Sequence, residues 1–346
     1  MKTLLLSVLL VANMQFSTAD LCSYNFTLAD LPNSLILEVI NLIAGNIINE
    51  ISNCSLIGYA SKDIEFWLYT RSGPSDGLKM SSLDTAMLKG RKTIVLTHGF
   101  LCSRKNNLMP ELKDAYLKRY DANVIIIDWS AYSKDYYANV HCNVPRIAQT
   151  FAEFLCKADS EQNIDIEDVH VVGHSMGGQM AGFIGKQTQA QCSKVLGRIS
   201  GLDPAGPLYF LKPRSRRLTN TDAKEVMVIH TNKGVLGYDG NCGTADYYPN
   251  SGASQAGCTI SNSPATDFIG MVTYPTACNH LRAVDYMIES IGTNNFVGES
   301  CFLCTSCLSN PFFGSKGVMG EDFTYEEESC SYYMPTNSQS PYGKGP

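Results

Sequence analysis

Four short hydrophobic runs in the middle of the chain each end at a polar or turn-forming residue. These runs are residues 93–97, 123–127, 169–172 and 226–229. Polar positions do not alternate within them, which is typical of strands covered on both faces of a parallel sheet. Helical patterns lie between them, from Val144 to Lys157 and from Gly177 to Gln189. Strands that alternate with helices predict an α/β fold.

The start of the chain has the pattern of a secretory signal peptide. Lys2 precedes the apolar run from Leu4 to Val11, and small residues follow up to Ala19. The run is shorter than the ~20 residues that cross a bilayer. We therefore predict a signal peptide over residues 1–19, with cleavage after Ala19, and a secreted, extracellular protein.

The segment from residue 20 to about 60 is apolar at positions near helical spacing: Leu35, Val39, Leu42, Ile43 and Ile47. We interpret it as a helix that packs on the main domain. An interfacial membrane helix is the alternative, but such helices carry basic residues and this segment has no Lys or Arg. At the other end, the Cys-, Ser- and Gly-rich residues 301–346 predict a loop held by disulfides.

All 13 cysteines lie after Ala19. In an oxidising compartment most of them should form disulfides, and the odd count leaves one free or paired between chains. Asn25 and Asn53 each begin a glycosylation sequon. The formal net charge of −6 disfavours a nucleic-acid partner and a generic electrostatic attraction to anionic membranes.

The strongest chemical signal is the pentapeptide Gly173-His174-Ser175-Met176-Gly177. It matches the G-x-S-x-G pattern, follows a predicted strand and opens a predicted helix, as this motif requires. The sharp turn raises the Ser175 hydroxyl as a nucleophile, and the Met176 amide can donate to a developing oxyanion. The alternative is a tight strand–helix turn in which Ser175 only caps a helix.

A serine nucleophile needs a general base, and in this type of fold the chain order is Ser, then acid, then His. Only His230 and His280 follow Ser175. His230 ends an apolar run, which is typical of a polar residue at the end of a core strand. His280 follows a Cys-bounded segment and precedes the helical pattern from Leu281 to Ile291, so we expect it on a late loop and choose it as the base.

The acid should follow the strand after the nucleophile helix, which we predict over Val195 to Ser200. Asp203 is the first carboxylate in the loop beyond it, and it would orient His280 and stabilise its imidazolium form. We interpret Asp222, Asp239 and Asp246 as residues of turns or of the surface. The loop His98-Gly99-Phe100 follows an early strand, so we expect Phe100 to supply the second oxyanion amide and His98 to support the loop.

Together these motifs resemble the pancreatic-lipase family, and within it the shorter arthropod lipases and phospholipases A1. The matching segments, in family order, are Thr97-His98-Gly99-Phe100, Ile127-Asp128-Trp129, Gly173-His174-Ser175-Met176-Gly177-Gly178, Gly201-Leu202-Asp203-Pro204-Ala205, Val228-Ile229-His230-Thr231, Asp246-Tyr247-Tyr248-Pro249-Asn250 and Cys278-Asn279-His280. The resemblance implies an α/β-hydrolase domain over residues 61–300, with a mostly parallel central sheet flanked by helices. It carries the catalytic roles to Ser175, Asp203 and His280, and it implies a lid closed by a Cys258–Cys278 disulfide.

The chain also departs from this family. It reads Met176-Gly177-Gly178-Gln179 where members often read Leu-Gly-Ala-His, so we expect a changed pocket. It stops soon after the catalytic domain, so we expect no C-terminal β-sandwich and no colipase-like partner. The calcium-loop positions of digestive members match Arg214, Thr219 and Asp222, of which one is acidic, so we predict no calcium and no other metal or cofactor.

The expected partner is a lipid substrate at a membrane, micelle or droplet surface, cleaved through an acyl-enzyme. The loop from Thr231 to Asp246 looks short, as in phospholipases A1, whereas the lid is not shortened to the same degree. The substrate stays open between phospholipids and neutral glycerides. Two rival interpretations are a non-catalytic lipid-binding or yolk-type storage protein on the same fold, and a secreted acyltransferase with the same three residues.

Overall fold

A computed structural model describes residues 54–81, 84–106, 108–263, 268–301, 314–326 and 330–346. Residues 1–19, most of the 20–60 segment and both sequons, Asn25 and Asn53, lie outside the described residues. None of the described helices is both long and apolar enough to cross a bilayer.

The centre of the structure is an 11-stranded sheet. In chain order its strands are β1 (Glu65–Tyr69), β2 (Leu78–Met80), β3 (Lys92–Thr97), β4 (Ala122–Asp128), β5 (His170–His174), β6 (Leu196–Leu202), β7 (Ala223–Ile229), β8 (Ala245–Pro249), β9 (Val297–Ser300), β10 (Lys316–Val318) and β11 (Cys330–Met334). Their spatial order is β10-β9-β11-β8-β7-β6-β5-β3-β4-β1-β2. Pairing is parallel from β11 through to β4 and antiparallel at both edges.

Helices cover both faces of this sheet. They are α1 (Met109–Arg119), α2 (Ser130–Ser133), α3 (Tyr137–Ser160), α4 (Met176–Cys192) and α5 (Phe268–Ser290). Short 3-10 helices occupy Cys54–Leu56, Ser61–Asp63, Thr85–Leu88, Ile166–Asp168, Arg214–Arg216, Asn250–Gly252 and Ile260–Asn262. The buried side chains of α3 and α4 belong to one core, and those of α1 and α5 belong to another on the opposite face.

Successive residues of the central strands enter opposite cores, because side chains alternate across a sheet. In β3, Val95 packs with α3 and α4, whereas Ile94 and Leu96 pack on the other face. In β4, Ile125 and Ile126 divide in the same way. Both faces are buried, so both sets of positions are apolar. This explains the unbroken hydrophobic runs and confirms the predicted α/β-hydrolase class with its mostly parallel sheet.

The end of the chain differs from the loop that we expected over residues 301–346. Strands β10 and β11 fall within this tail, and β11 pairs in parallel with β8 from Cys330 to Met334. The side chains of Cys330, Tyr332 and Met334 are buried. The segment satisfies backbone groups along an edge of β8 that would otherwise lack a partner strand. The prediction of a loop tail was therefore wrong for residues 316–318 and 330–334.

Disulfides connect the outer elements of the fold. Cys54 is bonded to Cys142 on α3, Cys156 of α3 to Cys192 of α4, and Cys258 to Cys278. Cys102, Cys301 and Cys330 are also disulfide-bonded. Among the described cysteines, Cys242 is free and buried. Burial raises the pKa of its thiol, which keeps it protonated and unreactive.

We expect Phe151→Ala to destabilise the fold by about 3–5 kcal/mol. Phe151 is fully buried on α3, and its ring packs edge-on against Phe66 of β1 at 4.9 Å between centroids. Urea unfolding with the disulfides intact would measure the loss as a lower midpoint. Glu153→Ala, at an exposed position on the same helix, should change stability by less than ~0.5 kcal/mol. Equal midpoints for the two variants would contradict this packing.

We expect mild acid to lower the free energy of unfolding, because His141 is buried in the folded protein. Burial, together with the nearby cations Lys212 and Arg216, lowers the pKa of His141 from 6.5 to about 4. Between these two pH values the unfolded chain binds more protons at this imidazole than the folded chain does. The free energy of unfolding therefore falls as pH decreases from 6.5, by at most about 3 kcal/mol for this group. His141→Gln should therefore give a shallower dependence of unfolding free energy on pH between 6.5 and 4.5. Parallel curves for the two proteins would refute the assignment.

Candidate active site

The position of the candidate site follows from the order of the strands. β4 lies on one side of β3, and β5 lies on the other, followed by β6, β7 and β8. The direction of strand order therefore reverses between β3 and β5. In open α/β sheets this reversal leaves a crevice beyond the carboxyl ends of the two strands. The Gly99–Phe100 loop and Ser175 follow these strands directly.

Ser175 occupies a strained turn between β5 and α4. Its backbone has φ 57° and ψ −122°, a conformation that costs a non-glycine residue about 1–3 kcal/mol. A Cβ atom on Gly173 would lie 2.1 Å from the carbonyl oxygen of Gly177, and one on Gly177 would lie 2.3 Å from that of Thr97. Both contacts are too short for any side chain, so the turn requires both glycines.

Asp203 lies directly after β6 and is completely buried. Its Oδ1 accepts hydrogen bonds from the backbone amides of Thr231 at 2.8 Å and Asn232 at 3.0 Å. Its Oδ2 accepts a hydrogen bond from Nδ1 of His280 at 2.6 Å. With Nδ1 carrying the proton, Nε2 of His280 is left as the basic nitrogen.

His280 lies inside a helix rather than on the loop that we expected. Helix α5 begins at Phe268, between the two cysteines that the resemblance implies as the ends of the lid, and continues to Ser290. The Cys258–Cys278 disulfide that the family resemblance implies is formed. Its two sulfurs lie 3.3 and 3.4 Å from Nη2 of Arg282, one turn beyond the disulfide. The disulfide and the helix together fix the backbone that presents His280.

His174 connects His280 to the nucleophile turn, a contact that the sequence reasoning missed. Its Nε2 donates to the carbonyl oxygen of His280 at 3.0 Å, and the two rings lie 4.5 Å apart. Burial, and then the neighbouring His280, lower the pKa of His174 well below its usual range. A neutral His174 holds the backbone of His280 next to Ser175 without repelling a protonated His280 ring. The only signal in the sequence was its position inside the pentapeptide.

The hydroxyl of Ser175 and the ring of His280 form no hydrogen bond in the structure, which describes both residues. Catalytic hydrogen bonds are often long without substrate and tighten when it binds. Both residues are nearly buried, at 8% exposed each. The structure therefore contains the Asp203–His280 hydrogen bond and not one between Ser175 and His280.

Two backbone amides are candidates for an oxyanion hole. Met176 is the first residue of α4, where amides have no partner within the helix. On the other side, a Cβ on Gly99 would lie 3.0 Å from Cβ of Ser175, so the chain leading to Phe100 runs against the nucleophile. His98 holds this loop, because its ring stacks on Trp129 at 4.8 Å and accepts the Trp129 backbone N–H.

His230, the alternative base, is paired elsewhere. Its Nε2 donates to Asp246 at 2.8 Å, and its ring stacks on Tyr248. Asp246 also accepts the backbone amides of Cys242 and Gly243. In the described part of the chain, His230, Cys242 and Asp246 could together hold a metal ion. However, the carboxylate already accepts three hydrogen bonds, and burial raises the pKa of the thiol. A metal ion would have to displace these hydrogen bonds and ionise Cys242.

The remaining acidic candidates stabilise turns or face solvent. Asp222 is buried, accepts the backbone amide of Thr219 at 2.8 Å and pairs with the ammonium group of Lys186. Asp239 is exposed. At the calcium-loop positions, Arg214 is exposed and Thr219 bonds to Asp222. The absence of calcium stays a prediction, and an ammonium group already neutralises the one carboxylate there.

Comparison with known proteins agrees with this geometry. The family model "Lipase" matches residues 52–342. "Probable phospholipase A1 magnifin" from Vespa magnifica is 32% identical, over 84% of this chain and 87% of that protein. "Phospholipase A1" from Vespa velutina is 31% identical, over 84% and 96%. "Pancreatic triacylglycerol lipase" from Cavia porcellus is 31% identical over 72% of this chain, which spans only 57% of that lipase.

The family model covers most of the described structure, including the turn at Ser175, the loop at Asp203 and the helix that carries His280. The relatives share an ester-hydrolysing activity, and the sheet is that of an α/β-hydrolase. The chain therefore belongs to the Lipase family and is a serine hydrolase of lipid esters.

Proposed function

We propose that this protein is a secreted phospholipase of the A1 type, in which Ser175, His280 and Asp203 form the catalytic triad. The observation that carries the triad is the 2.6 Å hydrogen bond between His280 and the buried Asp203, with His174 connecting His280 to the turn of Ser175. Secretion is supported by the N-terminal pattern of residues 1–19 and by the disulfides.

The proposed reaction begins when Nε2 of His280 takes the proton of the Ser175 hydroxyl, whose oxygen attacks the ester carbonyl. Asp203 stabilises the resulting imidazolium. The amides of Met176 and Phe100 stabilise the negative charge on the carbonyl oxygen. His280 then returns the proton to the leaving alcohol, which leaves an acyl group on Ser175. Water, activated by the same imidazole, releases the fatty acid.

The choice of phospholipid rests on the mouth of the crevice and on the relatives. The loop after β7 packs on the Asp203 loop through two backbone hydrogen bonds. The amide of Tyr238 donates to the carbonyl oxygen of Pro204 at 2.7 Å, and the amide of Gly206 donates to that of Leu236 at 2.8 Å. The resemblance to phospholipases A1 implies a short loop at this place. The two wasp phospholipases also align over most of their lengths, unlike the pancreatic lipase. The side chains of lid residues 264–273 lie outside the described residues.

Removing the nucleophile or the base should abolish hydrolysis while the fold is kept. We expect Ser175→Ala and His280→Gln to lower kcat on a water-soluble p-nitrophenyl ester by about 10⁴-fold or more, and Asp203→Asn by about 10³–10⁴-fold. An organophosphate should label the wild-type protein and not Ser175→Ala. Ser160→Ala, at an exposed position at the end of α3, is the matched control and should keep full activity. Labelling or turnover that survives in Ser175→Ala would remove Ser175 from the mechanism.

Product analysis should identify the bond that is cleaved. We expect phosphatidylcholine with palmitate at sn-1 and oleate at sn-2 to yield palmitate and a lysophospholipid that retains oleate. Triolein should be hydrolysed more slowly. Cleavage of triolein alone would indicate a neutral-glyceride lipase instead. Transfer of the acyl group to an added alcohol without free fatty acid would indicate an acyltransferase, and no product from either lipid would indicate a lipid carrier.

A further inference from the structure

The loop of residues 208–217, here called the Leu211 loop, begins five residues after Asp203. Leu211 is 97% exposed, whereas the other exposed large apolar side chains of the described chain range from 40% to 57%. A single exposed leucine is common on protein surfaces and by itself indicates no partner. Leu211, however, is flanked by cations, and the two features together indicate a kind of partner.

Three cations on the Leu211 loop have no acidic partner in the described part of the chain. Lys212, Arg214 and Arg216 form no ion pair within 4 Å with any carboxylate among the described residues. Arg214 bonds to the neutral amide of Asn220. The loop itself contains no acidic residue, in a chain whose formal net charge is −6. Positive charge is therefore concentrated here against the overall balance of the protein.

The Leu211 loop is held rigidly by its own neighbours. The guanidinium of Arg217 donates to the carbonyl oxygens of Lys212 and Leu218, and it covers the ring of Tyr238 at 4.9 Å. The ring of Phe210 also stacks on Tyr238. Arg217 is thus used to fix the loop, and the other three cations are left for an external partner. The exposed Asp239 lies beside Phe210 and Tyr238 and is the acidic group that faces the loop there.

Contacts on both sides place the Leu211 loop at the mouth of the candidate active site. Pro207, just before the loop, accepts a hydrogen bond from the hydroxyl of Tyr137 at 3.1 Å, and the Tyr137 ring packs edge-on against Phe100. On the other side, the backbone amide of Tyr238 donates to the carbonyl oxygen of Pro204, next to Asp203. The neighbouring Tyr136 is 48% exposed. A surface that binds the Leu211 loop would therefore lie next to the mouth of the crevice.

We propose that the Leu211 loop docks the enzyme on anionic lipid surfaces: Leu211 enters the acyl region while Lys212, Arg214 and Arg216 contact negatively charged headgroups. An apolar side chain flanked by unpaired cations is complementary to such a surface, which offers hydrocarbon beneath a layer of negative charge. A free polyanion would use the cations but not the leucine. The proposal rests on the proposed function, because docking brings the crevice to its lipid substrate.

The test measures binding separately from catalysis. The full mature chain carrying Ser175→Ala leaves vesicles intact, and co-sedimentation would measure its affinity for phosphatidylcholine and for an equimolar mixture with phosphatidylglycerol. Arg214→Ser with Arg216→Ser should weaken binding to the mixed vesicles about 25-fold, since each cation near an anionic surface contributes roughly fivefold. Leu211→Ser should weaken binding to both kinds of vesicle.

Matched controls lie away from the Leu211 loop, before the strands β3 and β4 and on the edge strand β2. Lys89→Ser with Lys118→Ser removes two exposed cations there, and Leu78→Ser removes an exposed leucine. Both controls should bind as the parent does. Leu211→Trp should gain a fluorescence signal that brominated phospholipids quench, since the native Trp129 is buried and Trp67 is partly covered.

Several outcomes would overturn the proposal. The first is an unchanged vesicle affinity of the double arginine variant, and the second is an equal loss of affinity in the controls. The third is a Leu211→Trp protein whose fluorescence brominated phospholipids do not quench. Binding that needs the arginines but not Leu211, and that heparin abolishes, would instead identify a polyanion site. In chains that retain Ser175, the ratio of vesicle hydrolysis to soluble-ester hydrolysis should fall with loss of docking. No hydrolysis of either substrate would count against the proposed function and leave the binding result standing.

Discussion

The hydrogen bond between His280 and Asp203 joins parts of the chain that are 77 positions apart, and the rest of the candidate site depends on it. Asp203 is fully buried, so its charge has to be balanced by donors that the fold supplies. Two backbone amides from the chain after β7 satisfy one oxygen, and the imidazole satisfies the other. Without that imidazole, a buried carboxylate oxygen would lack its partner. The same contact therefore serves both the stability of this region and the chemistry proposed for it.

A second constraint acts on the nucleophile turn. The chain bends so sharply at Ser175 that it lies against the end of β3 as well as against its own helix, which explains the two glycines of the motif. This crowding also brings Gly99 and the chain before Phe100 next to Ser175. Nucleophile, base and candidate oxyanion donors thus come from separate segments that meet at one end of the sheet, while the floor beneath them is the buried parallel core.

Charge is distributed unevenly around this site. The formal net charge of the chain is negative. The Leu211 loop, close to Asp203 in sequence and next to the mouth in space, nevertheless carries cations that pair with no carboxylate among the described residues. The positions that resemble a calcium loop hold Arg214, Thr219 and Asp222, and the ammonium group of Lys186 neutralises the last of these. This region therefore presents cations of its own, and they underlie the docking role that we infer.

The sequence by itself determined the class of fold and the candidate reactive residues. Strands buried on both faces must be apolar at every position, so β3, β4, β5 and β7 were readable as uninterrupted runs, and the G-x-S-x-G pattern marked a turn that few other sequences can make. The chain order of Ser, acid and His then narrowed the base to two residues, and His280 was favoured because a late loop was expected there. The structure places His280 in a helix, where it donates to Asp203, whereas His230 donates to Asp246. Tertiary structure alone decided the rest. The short strands β10 and β11 carry too little pattern to be recognised without β9 and β8 beside them. Helix α5 extends back from His280 across the predicted loop, and the Cys258–Cys278 disulfide is attached to its middle. The contact between His174 and His280, and the unpaired cations of the Leu211 loop, depend on which groups meet in space, and a linear sequence does not record that.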